Sequence, residues 1–246
     1  FAGETNAAGE CYINWISPGT KDLTAVGSPS FIAYRGLLGS SGNYLTSGVV
    51  PSIDGGIILT KDSASIGSGY NGIEDVPGAR KPCGVIDASG NSLLIDPHGG
   101  IGQLWMVNST SYRNVANAKL KGNYLANRTA NNVMPGFKNK VKTDATTASS
   151  NLPGRELFVL CNNNNGSPAD YGARSKYYWL GGGLTDGEVN TFSDALDILD
   201  NELNGYIIVT GDIHIEDING NYQFGWNAAQ IFYSSNGGKN FTTVAF

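Results

Sequence analysis

Short runs of alternating apolar and polar residues, each closed by Gly, Asn, Asp or Pro, recur along most of the chain. The clearest are Phe31–Arg35, Gly56–Thr60, Gly84–Asp87, Ser92–Asp96, Gln103–Asn108, Gly122–Arg128, Asn132–Lys138, Glu156–Cys161 and Lys176–Leu180. Alternation with a period of two puts successive side chains on opposite faces, so each run reads as a strand with one face buried. Regular spacing of many short strands with turn residues between them predicts a sandwich or barrel. No helical pattern of ten residues separates these runs, which argues against a parallel βαβ sheet. With 34 Gly and abundant Asn and Ser, the chain is well supplied for tight turns. Ala88-Ser89-Gly90-Asn91 is one such hairpin turn.

One segment breaks the pattern. Thr185-Asp186-Gly187-Glu188 has the form of a capping box, in which the Thr hydroxyl accepts from the Glu188 N–H and the Glu carboxylate reaches back. Val189, Phe192, Leu196, Leu199 and Leu203 follow at helical spacing, while Asp194, Asp197, Asp200 and Glu202 fall off that stripe. Gly205 is placed to close the helix. The expected fold is therefore all-β, an antiparallel two-sheet jelly-roll sandwich with one α-helix over about 185–204 packed on it. After the helix, Tyr206–Thr210, Ile213–Ile218, Tyr222–Trp226 and Gln230–Ser234 read as further strands, with a tight turn at Asn219-Gly220.

Charge excludes several partners. Only 15% of the residues are charged and the net charge is −5, with no Lys/Arg cluster long enough to follow a phosphate backbone. Nucleic acid is not expected as a partner, and no apolar stretch is long enough for a membrane span. Cys11, Cys83 and Cys161 stand far apart with no CxxC pair, so they read as small buried apolar residues rather than zinc ligands. Sequons occur at Asn108, Asn127 and Asn240. The chain opens at Phe1 with neither methionine nor signal peptide, and reads as a processed product or a piece of something longer.

Four segments in order carry a family likeness. They are Ser30–Gly36 with Gly42–Gly48, Asp62–Gly67, Leu157–Ser167, and Gly181-Gly182-Gly183-Leu184-Thr185-Asp186-Gly187-Glu188-Val189 leading into the helix. Over about 28–204 the chain resembles the concanavalin-like (laminin-G-like) domains of bacteriophage tail, fibre and head-fibre proteins and of some bacterial surface proteins. That resemblance implies a jelly roll at a virion or extracellular surface, whose task is glycan contact or fibre assembly, with no catalytic residues. Cys161 and the proline-rich stretch Pro77–Pro82 depart from the pattern. Near the end, Ser234-Ser235-Asn236-Gly237-Gly238-Lys239-Asn240-Phe241 is similar to the Asp-box hairpin of sialidases and other propellers, with Asn236 in place of Asp. It implies a β-hairpin rather than sialidase activity.

Asp212-Ile213-His214-Ile215-Glu216 is the sharpest chemical motif, because a strand would present Asp212, His214 and Glu216 on one face. It is similar to the E-x-D-x-E strand of laminarinase-type hydrolases, where two carboxylates about 5–5.5 Å apart do the chemistry. Here the central carboxylate is replaced by His214. Asp212 and Glu216 are the catalytic candidates, the same row with His214 is the metal candidate, and the wet face of a half-buried strand is the competing reading. His98 reads as a loop residue, and no nucleophile elbow occurs. Gly181-Gly182-Gly183 reads as a close backbone crossing rather than an anion site.

Glycan contact calls for aromatic faces beside planar amides. Trp105, Tyr112, Asn163, Asn164, Tyr171, Tyr177 and Trp179 are the candidates, with burial in the core as the alternative for each ring. The organisation expected is an N-terminal extension over 1–27, the sandwich with its helix over 28–205, and a hairpin extension or further β unit over 206–246. The function expected is a non-enzymatic structural or recognition module that binds glycan and mediates assembly and host attachment. The alternative is a polysaccharide-active glycosidase or lyase on the same fold. Expected partners are copies of itself in a homo-oligomer such as a trimer, other virion proteins and a cell-surface glycan. No cofactor is expected, though a structural Ca2+ is allowed.

Overall fold

The computed structural model describes residues 11–14, 16–32, 36–56, 58–70, 81–97, 103–111, 113–115, 122–171, 174–203, 231–233 and 242–244. In chain order the strands are β1 (Thr24–Val26), β2 (Ser30–Ile32), β3 (Gly36–Leu38), β4 (Tyr44–Thr46), β5 (Ala64–Tyr70), β6 (Cys83–Ile86), β7 (Ser92–Asp96), β8 (Gln103–Val107) and β9 (Arg113–Val115). They continue with β10 (Gly122–Arg128), β11 (Gly136–Lys138), β12 (Val141–Thr143), β13 (Phe158–Val159), β14 (Asn162–Asn164), β15 (Ser167–Ala169) and β16 (Arg174–Gly181). A single turn, α1 (Pro51–Asp54), follows β4, and the helix α2 (Asp186–Leu203) follows β16. Last come β17 (Ile231–Tyr233) and β18 (Thr242–Val244). The fold is an all-β two-sheet sandwich with one long helix.

The first sheet runs β1-β4-β13-β6-β7-β8-β9, with β14 and β15 joined beside β6. The second runs β12-β11-β10-β5-β16-β3-β2. Pairing is antiparallel except where β14 lies parallel to β6. Leu45, Val85, Leu93, Ile95, Trp105, Val107 and Val159 of the first sheet meet Leu37, Ile66, Tyr124, Ala126 and Tyr178 of the second in one core. Cys11 and Leu23, from the segment expected to be an extension, are buried in the same core. All three cysteines are free and buried.

Contacts divide the chain into two compact units, Phe1–Ser193 and Asp194–Phe246. In the second unit, β17 and β18 pair antiparallel and bracket 234–241. The Asp-box segment itself, the strands expected over 206–226, and Gly205 lie outside the described residues. Among the described residues no helix is long and apolar enough to cross a membrane.

Local chemistry accounts for the well-formed elements. The turn after β6 closes as its residues dictate, with Gly90 N–H donating to Asp87 O at 3.0 Å and Gly90 at φ +79. Thr185 caps α2 as a reciprocal box, its N–H bonding Glu188 Oε2 at 2.7 Å and its Oγ1 accepting the Glu188 N–H at 3.3 Å. Gly183 passes so close to the Arg128 carbonyl that a β-carbon would overlap it, which is the crossing that the glycine run predicts.

Three strand assignments need correction, the first being Glu156–Cys161, where only β13 is extended before Leu160, at φ +69, turns the chain. Gly56–Thr60 is not a strand, because Pro51 starts α1 and the chain is still turning at Leu59, whose N–H bonds Gly55 O at 3.0 Å. The long central strand is instead β5. In Asn132–Lys138 only β11 is extended, because Ala130–Val133 forms a turn closed by Val133 N–H to Ala130 O.

Candidate functional site

Burial separates the aromatic candidates into three groups. Trp105 is 0% exposed, reaches across the core against Gly136, and donates its indole N–H to Met134 O at 3.1 Å. Tyr177 is 3% exposed and its hydroxyl bonds Asn123 Oδ1. Asn163 is 2% exposed, and both ends of its amide are used within the protein. These three offer no surface to a ligand. For Tyr177 the reason is that the aromatic run of β16 alternates between the sandwich core and a second, outer layer.

That second layer lies on the outer face of the second sheet. β5 carries glycine at Gly67 and Gly69, directly opposite Trp179 and Tyr177 in register. A β-carbon at either position would enter the ring lying across it. The glycines are thus what let two large rings lie flat on the sheet. The first half of α2 closes over this layer, with Phe192 5.1 Å from Trp179 in an edge-to-face contact, and Val189 packed with Leu125 and Phe137. Trp179 is partly buried there, under the helix rather than open.

The outer face of the first sheet is different. In β4, Leu45 points into the core, so Tyr44 and Thr46 point out. In β13, Val159 is the inward partner of Leu45 and Phe158 faces out opposite Thr46. Tyr44 and Phe158 are therefore diagonal neighbours, with ring centroids 4.9 Å apart. Phe158 is 7% exposed, whereas Tyr44 keeps an open edge. Leu160, at φ +69, then reverses the chain into β14. Asn165-Gly166, both at positive φ, form a two-residue turn into β15. That hairpin delivers Tyr171, partly exposed, 6.3 Å from Tyr44 and at 61° to it.

Polar groups hold this aromatic floor in place. Asn163 Nδ2 donates to Glu156 O at 2.7 Å and Asn163 Oδ1 accepts the Gly166 N–H at 2.6 Å, tying the hairpin to β13. Lys81 and Asp170 form an ion pair at the foot of Tyr171. Glu156 Oε1 accepts the Gly48 N–H at 2.6 Å, and its other oxygen has no partner among the described residues. Burial pushes the Tyr44 phenol above its ordinary value, and negative charge on Cys161, Tyr171 or Glu156 adds to the shift. The Cys161 thiol is pushed up to about 12, mainly by burial, so it stays protonated and inert. Asn164 is exposed on the same hairpin. Beside Phe158, Asn162 is buried with its Oδ1 unpartnered among the described residues.

Of the sequence candidates, then, the structure brings Tyr171 to an open face with Tyr44, Phe158 and Glu156, which the sequence reading passed over, and leaves Asn164 exposed beside the turn of the adjoining hairpin. Alternation in Tyr44-Leu45-Thr46 was the available signal. Tyr112, His98, Asp212, His214 and Glu216 lie outside the described residues. Among the described residues no three His, Cys, Asp or Glu side chains gather in a metal-binding group. Asn108 and Asn127 are fully buried with their amides bonded to Thr60 O and Leu184 O, so the folded chain closes these two sequons to glycosylation.

No family model matches the chain, and no curated protein matches it. Solved structures do. Part of the chain is similar to part of a sialidase. Trypanosoma rangeli sialidase matches with a TM-score of 0.52 at 13% identity, over 72% of this chain and 30% of that one. Domain 4 of AbnA, a GH43 extracellular arabinanase from Geobacillus stearothermophilus, in complex with arabinotriose, gives 0.47 at 11% identity over 70% of this chain and 88% of that domain. The botulinum neurotoxin serotype D binding domain gives 0.48 at 8% identity over 76% and 50%. The sialidase match agrees with the sandwich fold, and at this identity it speaks to fold alone.

Proposed function

We propose that the chain is a non-enzymatic recognition module that contacts glycan through the outer face of its first sheet. The observation that carries this reading is the trio Tyr44, Phe158 and Tyr171. Tyr44 rests on the buried Phe158 with Tyr171 against its edge, both tyrosines partly open, beside a carboxylate pinned by a backbone N–H. Sugars present C–H faces that pack on aromatic rings and hydroxyls that bond acceptors such as carboxylates. A floor of this kind supplies both without a deep cleft.

The module works at a virion or cell surface, as the resemblance to phage fibre domains suggests, in a homo-oligomer such as a trimer. A shallow site is weak on its own, and repetition raises its effective affinity through avidity. Glycosidase chemistry would rest on Asp212 and Glu216. Release of reducing sugar from polysaccharide, lost in Glu216→Gln, would shift the assignment to an enzyme.

Glycan-array binding followed by calorimetry tests the proposal. Tyr44→Ala and Tyr171→Ala are each expected to weaken binding at least about tenfold, roughly 1.4 kcal/mol. The melting temperature should move little, because both rings lie outside the core. Binding that survives both substitutions moves the site elsewhere. Wild-type protein that is silent on every glycan removes the proposal altogether.

A further inference from the structure

We infer that this face selects neutral, hydroxyl-rich sugars and rejects acidic ones, sialic and uronic acids included; the inference rests on the glycan-contact reading of the same face. It stands on where the charges are and which of them are already engaged. Glu156 lies two residues before Phe158, at the approach to β13, with one oxygen held by the Gly48 N–H and the other open. It is also the charged side chain whose field reaches the Tyr44 phenol.

The two lysines around the site are paired with carboxylates. Lys81 pairs with Asp170 at the foot of Tyr171. Lys21, on the far side of Gly48, pairs with Asp54 at 3.1 Å and also donates to Gly48 O. Arg155 donates from Nε to Asn165 Oδ1 at 3.3 Å, at the tip of the β14–β15 hairpin. To bind a carboxylate sugar beside Tyr171 or Gly48, a lysine would have to be pulled from its partner, and the sugar would still meet Glu156; Arg155, which uses only Nε on a neutral amide, lies at the hairpin tip. A sugar hydroxyl instead donates to the open Glu156 oxygen, a charge-assisted bond of the stronger kind. Attraction toward one class and repulsion toward the other act together at one carboxylate, which is how discrimination between close analogues is built. The chain's overall charge of −5 works in the same direction at long range.

The test compares a neutral galactose-terminated trisaccharide with its sialylated counterpart, titrated into the intact chain by calorimetry. Wild-type protein should prefer the neutral sugar by about tenfold or more, the scale of a like-charge contact near a surface. Glu156→Gln keeps an acceptor for the Gly48 N–H and removes the charge, so the preference should shrink to within about threefold. A second measurement needs no variant. Raising the salt concentration should improve binding of the sialylated sugar and leave the neutral one unchanged, because only the repulsion is screened. Equal or tighter binding of the sialylated sugar to wild type overturns the inference and leaves the glycan-contact reading standing, provided Tyr44→Ala still abolishes it. A preference untouched by Glu156→Gln overturns it too. Failure of both sugars, and of every other glycan on the array, takes the underlying reading down as well.

Discussion

The two outer faces of this sandwich carry aromatic clusters of similar make-up and opposite fate. On the second sheet, Tyr177 and Trp179 lie on a glycine track in β5, and α2 roofs Trp179 with Phe192 and Val189. On the first sheet, Tyr44 packs on Phe158 with Tyr171 at its edge, and both tyrosines keep open edges. The difference lies in what comes next along the chain. A capped helix follows β16 and folds back over its sheet, whereas a tight Asn-Gly hairpin follows β13 and brings another ring alongside. Aromatic rings under a helix are stability; aromatic rings beside a hairpin are available for contact.

Removing one ring from each face should break the symmetry most visibly. Trp179→Ala deletes the large ring between β5 and α2 and should cost about 3 kcal/mol, as large aromatic truncations do. For a unit of this size that is on the order of 10 °C in melting temperature. Its glycan binding, measured on the folded fraction at low temperature, should stay within about twofold of wild type, well under the tenfold of 1.4 kcal/mol. The reverse pattern is expected of Tyr44→Ala. If Trp179→Ala were the substitution that lost binding while melting normally, the assignment of the two faces would have to be exchanged.

A smaller effect isolates the roof from the rings beneath it. Thr185→Ala removes the side-chain half of the capping box, where Thr185 Oγ1 accepts the Glu188 N–H. Loss of such a cap costs about 1 kcal/mol. The loss should be local: hydrogen exchange of the amides at 189–193 should speed up, while those of β4 and β13 hold their protection. Uniform acceleration over both sheets would mean that the roof and the sandwich open as one.

Much of this was legible in the residues, and the failures have physical causes. The start of α2 was readable because a capping box is a local code, with donor and acceptor three positions apart. The turn at Ala88–Asn91 was readable for the same reason. β5 was missed as a strand because Ser65, Gly67, Ser68 and Gly69 carry little β preference. The two glycines are there because rings from β16 lie on them, and this is a long-range demand that no local pattern displays. Ile58-Leu59 misled in the opposite sense, as apolar residues after a proline that proved to be turning. Asn165-Gly166 carries the same hairpin signal that was read at Asn219-Gly220 and went unread in the asparagine-rich stretch. At the candidate site, Tyr171 was legible as an aromatic in a polar loop. Phe158 was not, because it sits in a wholly apolar run. Choosing Trp105 and Tyr177 erred because alternation tells which residues share a face and says nothing about what covers that face.

Acid should distinguish the two faces by the slightest margin. Glu188 is fully exposed, and its carboxyl is held below the usual range by the Thr185 N–H and then by the Thr185 hydroxyl. A carboxyl with a depressed folded value stabilises the folded form above its unfolded value, about 4.3, and that contribution drains away as pH falls through the lower folded value. The cap on α2 should therefore loosen between about pH 4.3 and the acid end of that window. The expected sign is a small rise in solvent quenching of Trp179 fluorescence over that range, absent in Glu188→Gln, which cannot titrate. The aromatic floor of Tyr44 and Phe158 lies under no capped helix among the described residues, and the Glu156 carboxylate beside it holds the Gly48 N–H rather than a roof over the rings. Its contacts, followed by near-ultraviolet circular dichroism of a Trp179→Phe variant, should be flat across the same pH range. A matching change on both faces would show that acid acts on the sandwich as a whole and that the roof has no separate equilibrium of its own.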